Sequence, residues 1–201
     1  MNIFVTNEDP QIAARALDDK RIFKMLLESL QMLANAIHDD DLLVRRQLKL
    51  DLLPRRKDMM PYAKSHFNHP CSIWTRESQG NYRWLLDHAK ELYEEWCRRK
   101  GIPENAFTYV DNLERLEYAA TVLNFAHCVR TPFQNSSADK EGETLSSYRK
   151  TMMQKWIFTD RRKPRWTNSK PPAWLKSTYT QCVAKIHYMD QPRWPIDTLL
   201  S

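Results

Sequence analysis

The sequence predicts a mainly α fold, and three observations carry that expectation. Apolar residues recur at helical spacing over several long stretches, whereas period-2 alternation is scarce. Helix punctuation such as Asp9-Pro10 and Gly101 brackets those stretches. The composition is 42% hydrophobic and 11% aromatic with seven Trp, enough apolar surface to offset the entropy of ordering. A chain of 201 residues needs no second core, so residues 1–201 read as a single compact helical domain.

Taken in order, Ile3 to Thr6 reads as a short strand or an extended arm. Asp9 followed by Pro10 is a good helix start, and a helix bent near Asp18 should run to about His38. Its stretch "LDDKRIFKMLLESLQMLANAI" has two unequal faces. Lys20, Arg21, Lys24, Glu28, Gln31 and Asn35 share one narrow polar wedge, while Ile22, Phe23, Met25, Leu26, Leu27, Leu30, Met32, Leu33 and Ile37 cover the rest. Residues 39–70 mix apolar clusters with arginines and are broken by Pro54, Pro61 and Pro70, so they read as a short helix and loops. A second long helix is expected from Ser72 to Lys100, with Gly101 just past its end. Asn81 and His88, seven apart, lie at one margin of its apolar face, either as ordinary boundary polar groups or as neighbours of the first helix's polar row. A third helix fits Asn112 to His127, and residues 130–144 form a loop by composition. A helix from about Thr144 to Phe158, a Pro-broken stretch and a helix from about Trp174 to Met189 complete the chain.

Several classes are disfavoured. No run of 18 apolar residues occurs, and "MNIFVTNEDP" lacks a basic leader and an apolar signal core, so a soluble, cytosolic protein is expected, with no membrane partner. With only Gly80, Gly101 and Gly142, no phosphate-cradling glycine loop can be built. Cys71, Cys97, Cys128 and Cys182 are scattered and read as reduced packing residues. His66, His69 and Cys71 form an HxxHxC cluster, but a metal would need a further ligand that the sequence does not announce. Neither metal nor organic cofactor is expected.

The net charge of +6 favours a polyanionic partner. The charge is concentrated in a basic, aromatic C-terminal region, residues 148–176. Nine Lys/Arg there stand against Asp160 alone, giving +8 and leaving −2 for the rest. Trp156, Phe158, Trp166 and Trp174 interleave with those cations, a combination that suits phosphate contacts and stacking on an exposed base.

Glu28 shares the polar row with Lys24, four residues before it, and lies near Arg21. A carboxylate among cations and amides can stabilise positive charge or move a proton at a sugar carbon, and a desolvated lysine can act as an amine nucleophile. A plain helix-surface ion pair, contributing a few tenths of a kcal/mol, accounts for the pattern equally well.

The segments "ALDDKRIFKMLLESLQML", "NHPCSIW", "NYRWLLDHAKELYEEWCRRKG", "SYRK" and "RKPRW" resemble the pyrimidine-dimer DNA glycosylases of the phage T4 endonuclease V type and their longer phage and bacterial relatives. The resemblance implies a compact all-α fold that grips bent duplex DNA and displaces a nucleotide from the stack. It also implies base excision with AP-lyase activity: an amine attacks the sugar C1′, the base leaves, and the Schiff base drives strand β-elimination. The family's glutamate matches Glu28, with Arg21 and Lys24 beside the sugar-phosphate. The family's nucleophile is the α-amine of an N-terminal threonine. This chain instead begins Met1-Asn2, and Asn is large enough to block removal of Met1, so the amine would belong to Met1, with Lys24 or Lys20 as the chemical substitute. The expected DNA contacts are Lys20, Arg21, Gln31, Asn35, His69, Asn81, His88, Arg149, Lys150, Lys155, Arg161, Arg162, Lys163, Arg165 and Trp166. The same scaffold could serve a non-catalytic nucleic-acid binder or a relative that modifies a DNA base or sugar.

Overall fold

The computed structural model describes residues 3–40, 46–103, 109–123, 125, 143–184 and 192–200. It is mainly helical, and no strand occurs among the described residues.

The expected first helix is two. Asp9 caps α1 (Pro10–Arg15) by accepting from the amides of Gln11 and Ile12. The chain leaves helical geometry by Leu17, and α2 (Asp19–Asp39) starts from an extended Asp18. Arg99 makes this break stable. Its buried guanidinium donates to the carbonyls of Arg15 and Leu17, which the end of α1 would otherwise leave unpaired, and to Asp19 and Glu95. Ile22, Leu26, Leu30, Leu33 and Ile37 form the buried stripe of α2. Lys49, in α3 (Arg46–Leu52), closes its far end by donating to the carbonyls of His38 and Asp40.

The expected second helix is also two, α4 (Pro70–Glu77) and α5 (Gln79–Lys100). Ser78 separates them because it adopts an extended conformation and caps α5 through its hydroxyl, which accepts from Asn81 N–H. Gly101 ends α5 at φ 64°, a left-handed turn that a residue with a Cβ disfavours. Helix α5 packs across α2 and along α1, with α4 on α2 and α6 (Tyr109–Val122) on α5. Phe23 joins the layers, its ring 5.0 Å from Trp96 and edge-on to Tyr109.

Residues 3–6 form an extended arm without ladder pairing, with Ile3, Phe4 and Val5 buried in the core. Helix α7 (Glu143–Gln154) continues into a π-helical turn, Lys155–Thr159, and packs against α8 (Leu175–Val183). A short α9 (Ile196–Leu200), absent from the sequence reading, follows. The ends of the third and last expected helices, the loop at 130–142 and Cys128 lie outside the described residues.

Candidate active site

The polar row of α2 is solvent-facing for part of its length only. Lys20, Lys24 and Glu28 lie four residues apart, a ridge about 12 Å long. Lys24 is 69% exposed, and its Nζ lies 3.7 Å from Glu28 Oε1, whereas the Glu28 side chain is 16% exposed. Gln31 is half-buried beside them. The row therefore has an exposed cation beside a mostly enclosed carboxylate.

Those surroundings come from α4 and the N-terminal arm. His69 is the N-cap of α4, its Nδ1 accepting from the Cys71 amide. Burial, with His66 nearby, holds the His69 imidazole below its ordinary range, and the Glu28 charge opposes that shift. The Cys71 thiol is raised by burial and by Glu28, against a hydrogen bond from the Ile3 backbone. Burial pushes Tyr148 up to about 12, with Cys71 next to it. Glu28 thus acts on His69 and Cys71, and Cys71 ties the site to Ile3 and α7. Nothing in the sequence pattern announced Cys71 as a neighbour of Glu28, 43 positions away, or Tyr148 as a neighbour of Cys71.

The other flank of the row is an open groove of about 400 Å³ lined by Phe23, Leu27, Arg55, Arg56, Lys57, Asp58, Tyr62 and Tyr109. Residues 53–69 bridge the two flanks across α2. Asn112 holds Arg55 through both its N–H and its carbonyl, His38 meets the Tyr62 carbonyl, and Asn35 clamps the backbone of Ser65. Asn35 is accordingly a fully buried fastener of this crossing.

Arg21 also leaves the surface. It is buried between Asp18 (2.8 Å) and Asp160 (2.7 Å), so both sides of its guanidinium are committed to carboxylates. Lys20 stays exposed while pairing with Asp160 at 2.8 Å. Burial would raise the Asp160 carboxyl, but the hydrogen bonds from Lys20 and Arg21 win and hold it below its usual range. Asn81 and His88 are buried too. Asn81 Nδ2 donates to the Trp74 carbonyl. The His88 ring is stacked on Trp84 at 5.1 Å.

The basic C-terminal region divides in the same way. Trp166 is buried, edge-on to Trp156 at 5.2 Å, and its Nε1 donates to the Ala16 carbonyl. Trp156 stacks on Trp174 at 5.7 Å. These rings build core, which replaces the expected stacking surface for a base. Between them Arg161, Arg162 and Arg165 stay exposed, and Lys150, Lys155 and Lys163 are half-buried. The backbone of this segment is fastened to the start of α2, since Asp19 N–H donates to the Arg165 carbonyl and Thr167 donates to Asp19. Three arginines are thereby held next to Lys20 and the ridge leading to Glu28. Arg149 reaches the N-terminal arm, donating to the Thr6 carbonyl at 2.8 Å. Met1 lies outside the described residues.

A carboxylate beside an amine, at the end of a cationic ridge, can oppose a cation forming at a sugar while the ridge holds the flanking phosphates. Among the described residues, no three His, Cys, Asp or Glu side chains gather as a metal cage would require, and no helix is long and apolar enough to cross a membrane.

The family model of the pyrimidine dimer DNA glycosylases matches residues 1–109, more than half of the chain, and the chain belongs to that family. Membership supports a glycosylase-type function with DNA as substrate. The matched part includes the whole Glu28 row with His69 and Cys71, and it stops before the basic C-terminal region. No curated protein and no solved structure matches the chain.

Proposed function

We propose that the protein excises a damaged or modified pyrimidine from duplex DNA through an amine and Glu28, with strand cleavage as a second step. An amine attacks C1′ of a nucleotide displaced to the Glu28 side of the α2 row. The N-glycosidic electrons leave with the base, and the new C1′ aminal gives up its N–H proton. Its nitrogen lone pair then forms the C=N bond as the C1′–O4′ bond breaks and O4′ takes up a proton, so that an iminium ion remains on the opened sugar. The Glu28 carboxylate opposes that positive charge and assists the proton transfers that precede β-elimination. Lys24, Lys20, Arg161, Arg162 and Arg165 hold the phosphates on either side.

The observation that carries this reading is the placement of Glu28: mostly enclosed, beside the Lys24 ammonium and within electrostatic reach of His69 and Cys71. The α-amine of Met1 or the Lys24 amine supplies the nucleophile. Ile3 hydrogen-bonds Cys71, which brings the N-terminal arm to the Glu28 site. An α-amine, with an ordinary pKa near 8, is also more often neutral at pH 7 than a lysine.

Borohydride trapping tests the proposal. The protein is incubated with duplex carrying a pyrimidine dimer or an abasic site, reduced, and mapped by peptide mass. An adduct on Met1 or Lys24 is the expected result. No adduct and no strand cleavage on either substrate would replace this reading with a non-catalytic binder or a DNA-modifying enzyme.

A further inference from the structure

The loop 53–62 carries an arrangement that the glycosylase reading does not use. Met59 and Met60 sit at its tip, 60% and 59% exposed, the most exposed large apolar side chains among the described residues. Two adjacent side chains of this kind are not left in water by default, because the same loop also buries Leu53 and Tyr62.

The tip is held in that posture. Met59 N–H donates to the Arg56 carbonyl at 2.9 Å, and Arg56 N–H donates to the Met60 carbonyl at 2.9 Å. Arg55 and Pro61 form a bridge at the base, and Asn112 fixes Arg55 from α6. Asp58 pairs with Arg56 and accepts from Met60 N–H. Met59 has φ 63°, a left-handed conformation that is strained for an unbranched long side chain and natural for Gly or Asn. The loop keeps a Met where its backbone favours another residue, and strain of this kind persists where the surrounding structure enforces it.

The location and charge point to one occupant. Arg55, Arg56 and Lys57 line the groove with Leu27, and on the α2 surface Leu27 and Glu28 flank Lys24 and Gln31 about 100° apart. The tip is therefore carried by a loop whose Arg55, Arg56, Lys57 and Asp58 form the groove wall facing α2. Arg55, Arg56, Lys57 and Lys64 outnumber Asp58 in this part of the chain, so the stretch that carries the apolar tip has a net positive charge. An apolar wedge on a cationic stretch is matched by a base stack between two phosphate backbones.

We propose that Met59 and Met60 enter the base stack next to the nucleotide delivered to Glu28, with Lys57 on a flanking phosphate. This inference rests on the reading that the α2 row faces the DNA. Methionine suits the role because its thioether chain is flexible and polarizable and adapts to whichever bases it separates.

The test uses a duplex with a tetrahydrofuran abasic site and 2-aminopurine next to it, whose fluorescence rises on unstacking. Full-length protein should brighten it. A Met59→Asn, Met60→Ser double variant should bind within a few-fold by anisotropy yet leave the probe dark. Asn tolerates the left-handed backbone, so the melting temperature should not fall. Single-turnover excision of a dimer should drop about tenfold to a hundredfold in duplex and stay unchanged in single-stranded DNA. Lys57→Gln should reduce the salt slope of binding by about 0.9.

Brightening by a Glu28→Gln protein that excises nothing would uphold the wedge independently of the chemistry. Normal excision without brightening, or equal losses in duplex and single strand, would overturn the wedge and leave the glycosylase reading standing. A wild-type dimer in sedimentation that the double variant dissociates would also overturn it, by assigning the tip to a second copy of the chain.

Discussion

Replacing His88 by leucine should flatten the acid side of this protein's stability profile. The imidazole is 1% exposed, stacked on Trp84, and neither ring nitrogen has a hydrogen-bond partner. Burial holds it down to about 3, against about 6.5 for an unfolded histidine. Between these values the unfolded chain binds a proton that the folded chain does not. Stability is therefore intact above about pH 6.5 and is lost as pH falls, at up to about 1.4 kcal/mol per unit. From pH 6.5 to 4.5 this one group removes about 2.5 kcal/mol, a large part of the ~5–15 kcal/mol that typical domains possess. Urea unfolding followed by tryptophan fluorescence at several pH values reads the effect directly. Wild type should lose that amount relative to His88→Leu over the interval. At pH 8 the leucine variant should be at least as stable, because it removes two buried unpaired polar atoms. Parallel profiles for the two proteins would refute the reasoning.

Other expectations follow from the same geometry. Asp160→Ala leaves the buried Arg21 with Asp18 alone and should cost about 3 kcal/mol in urea unfolding. Trp166→Ala should appear as a folding defect of about 3–5 kcal/mol, since the ring is core. Changing Arg161, Arg162 and Arg165 together to Gln should leave the melting temperature unchanged and lower the salt slope of DNA binding by about 2.7, measured by anisotropy across salt concentrations. Gly101→Ala, at φ 64°, should destabilise by roughly 1 kcal/mol.

How far the sequence could be read depends on whether its pattern was local. The stripe of α2 and the Glu28–Lys24 pair were legible because helical spacing alone places them. The change of direction near Asp18 was legible as well, but not that Arg99, remote in sequence, holds the end of α1, nor that the local Ser78 cap divides the second long helix. The same limit explains the reassigned site residues. Arg21, Asn35, Asn81 and His88 share a polar stripe or margin, but whether such residues face solvent is decided by Asp160, Ser65 and Trp84, which no periodicity reveals. Trp166 looked like a base-stacking residue because its neighbours are basic. Only the fold shows that its indole is buried while Arg161, Arg162 and Arg165 carry the exposed charge.

In the proposed reaction Glu28 acts in the chemistry and contributes little to holding DNA. Glu28→Gln keeps the size and hydrogen-bonding shape of the side chain and removes the charge that would oppose the iminium. Single-turnover excision from duplex carrying a pyrimidine dimer, measured beside equilibrium affinity for the same duplex, separates the two roles. Excision should be lost while affinity stays within a few-fold of wild type. Equal turnover by variant and wild type would remove Glu28 from the mechanism.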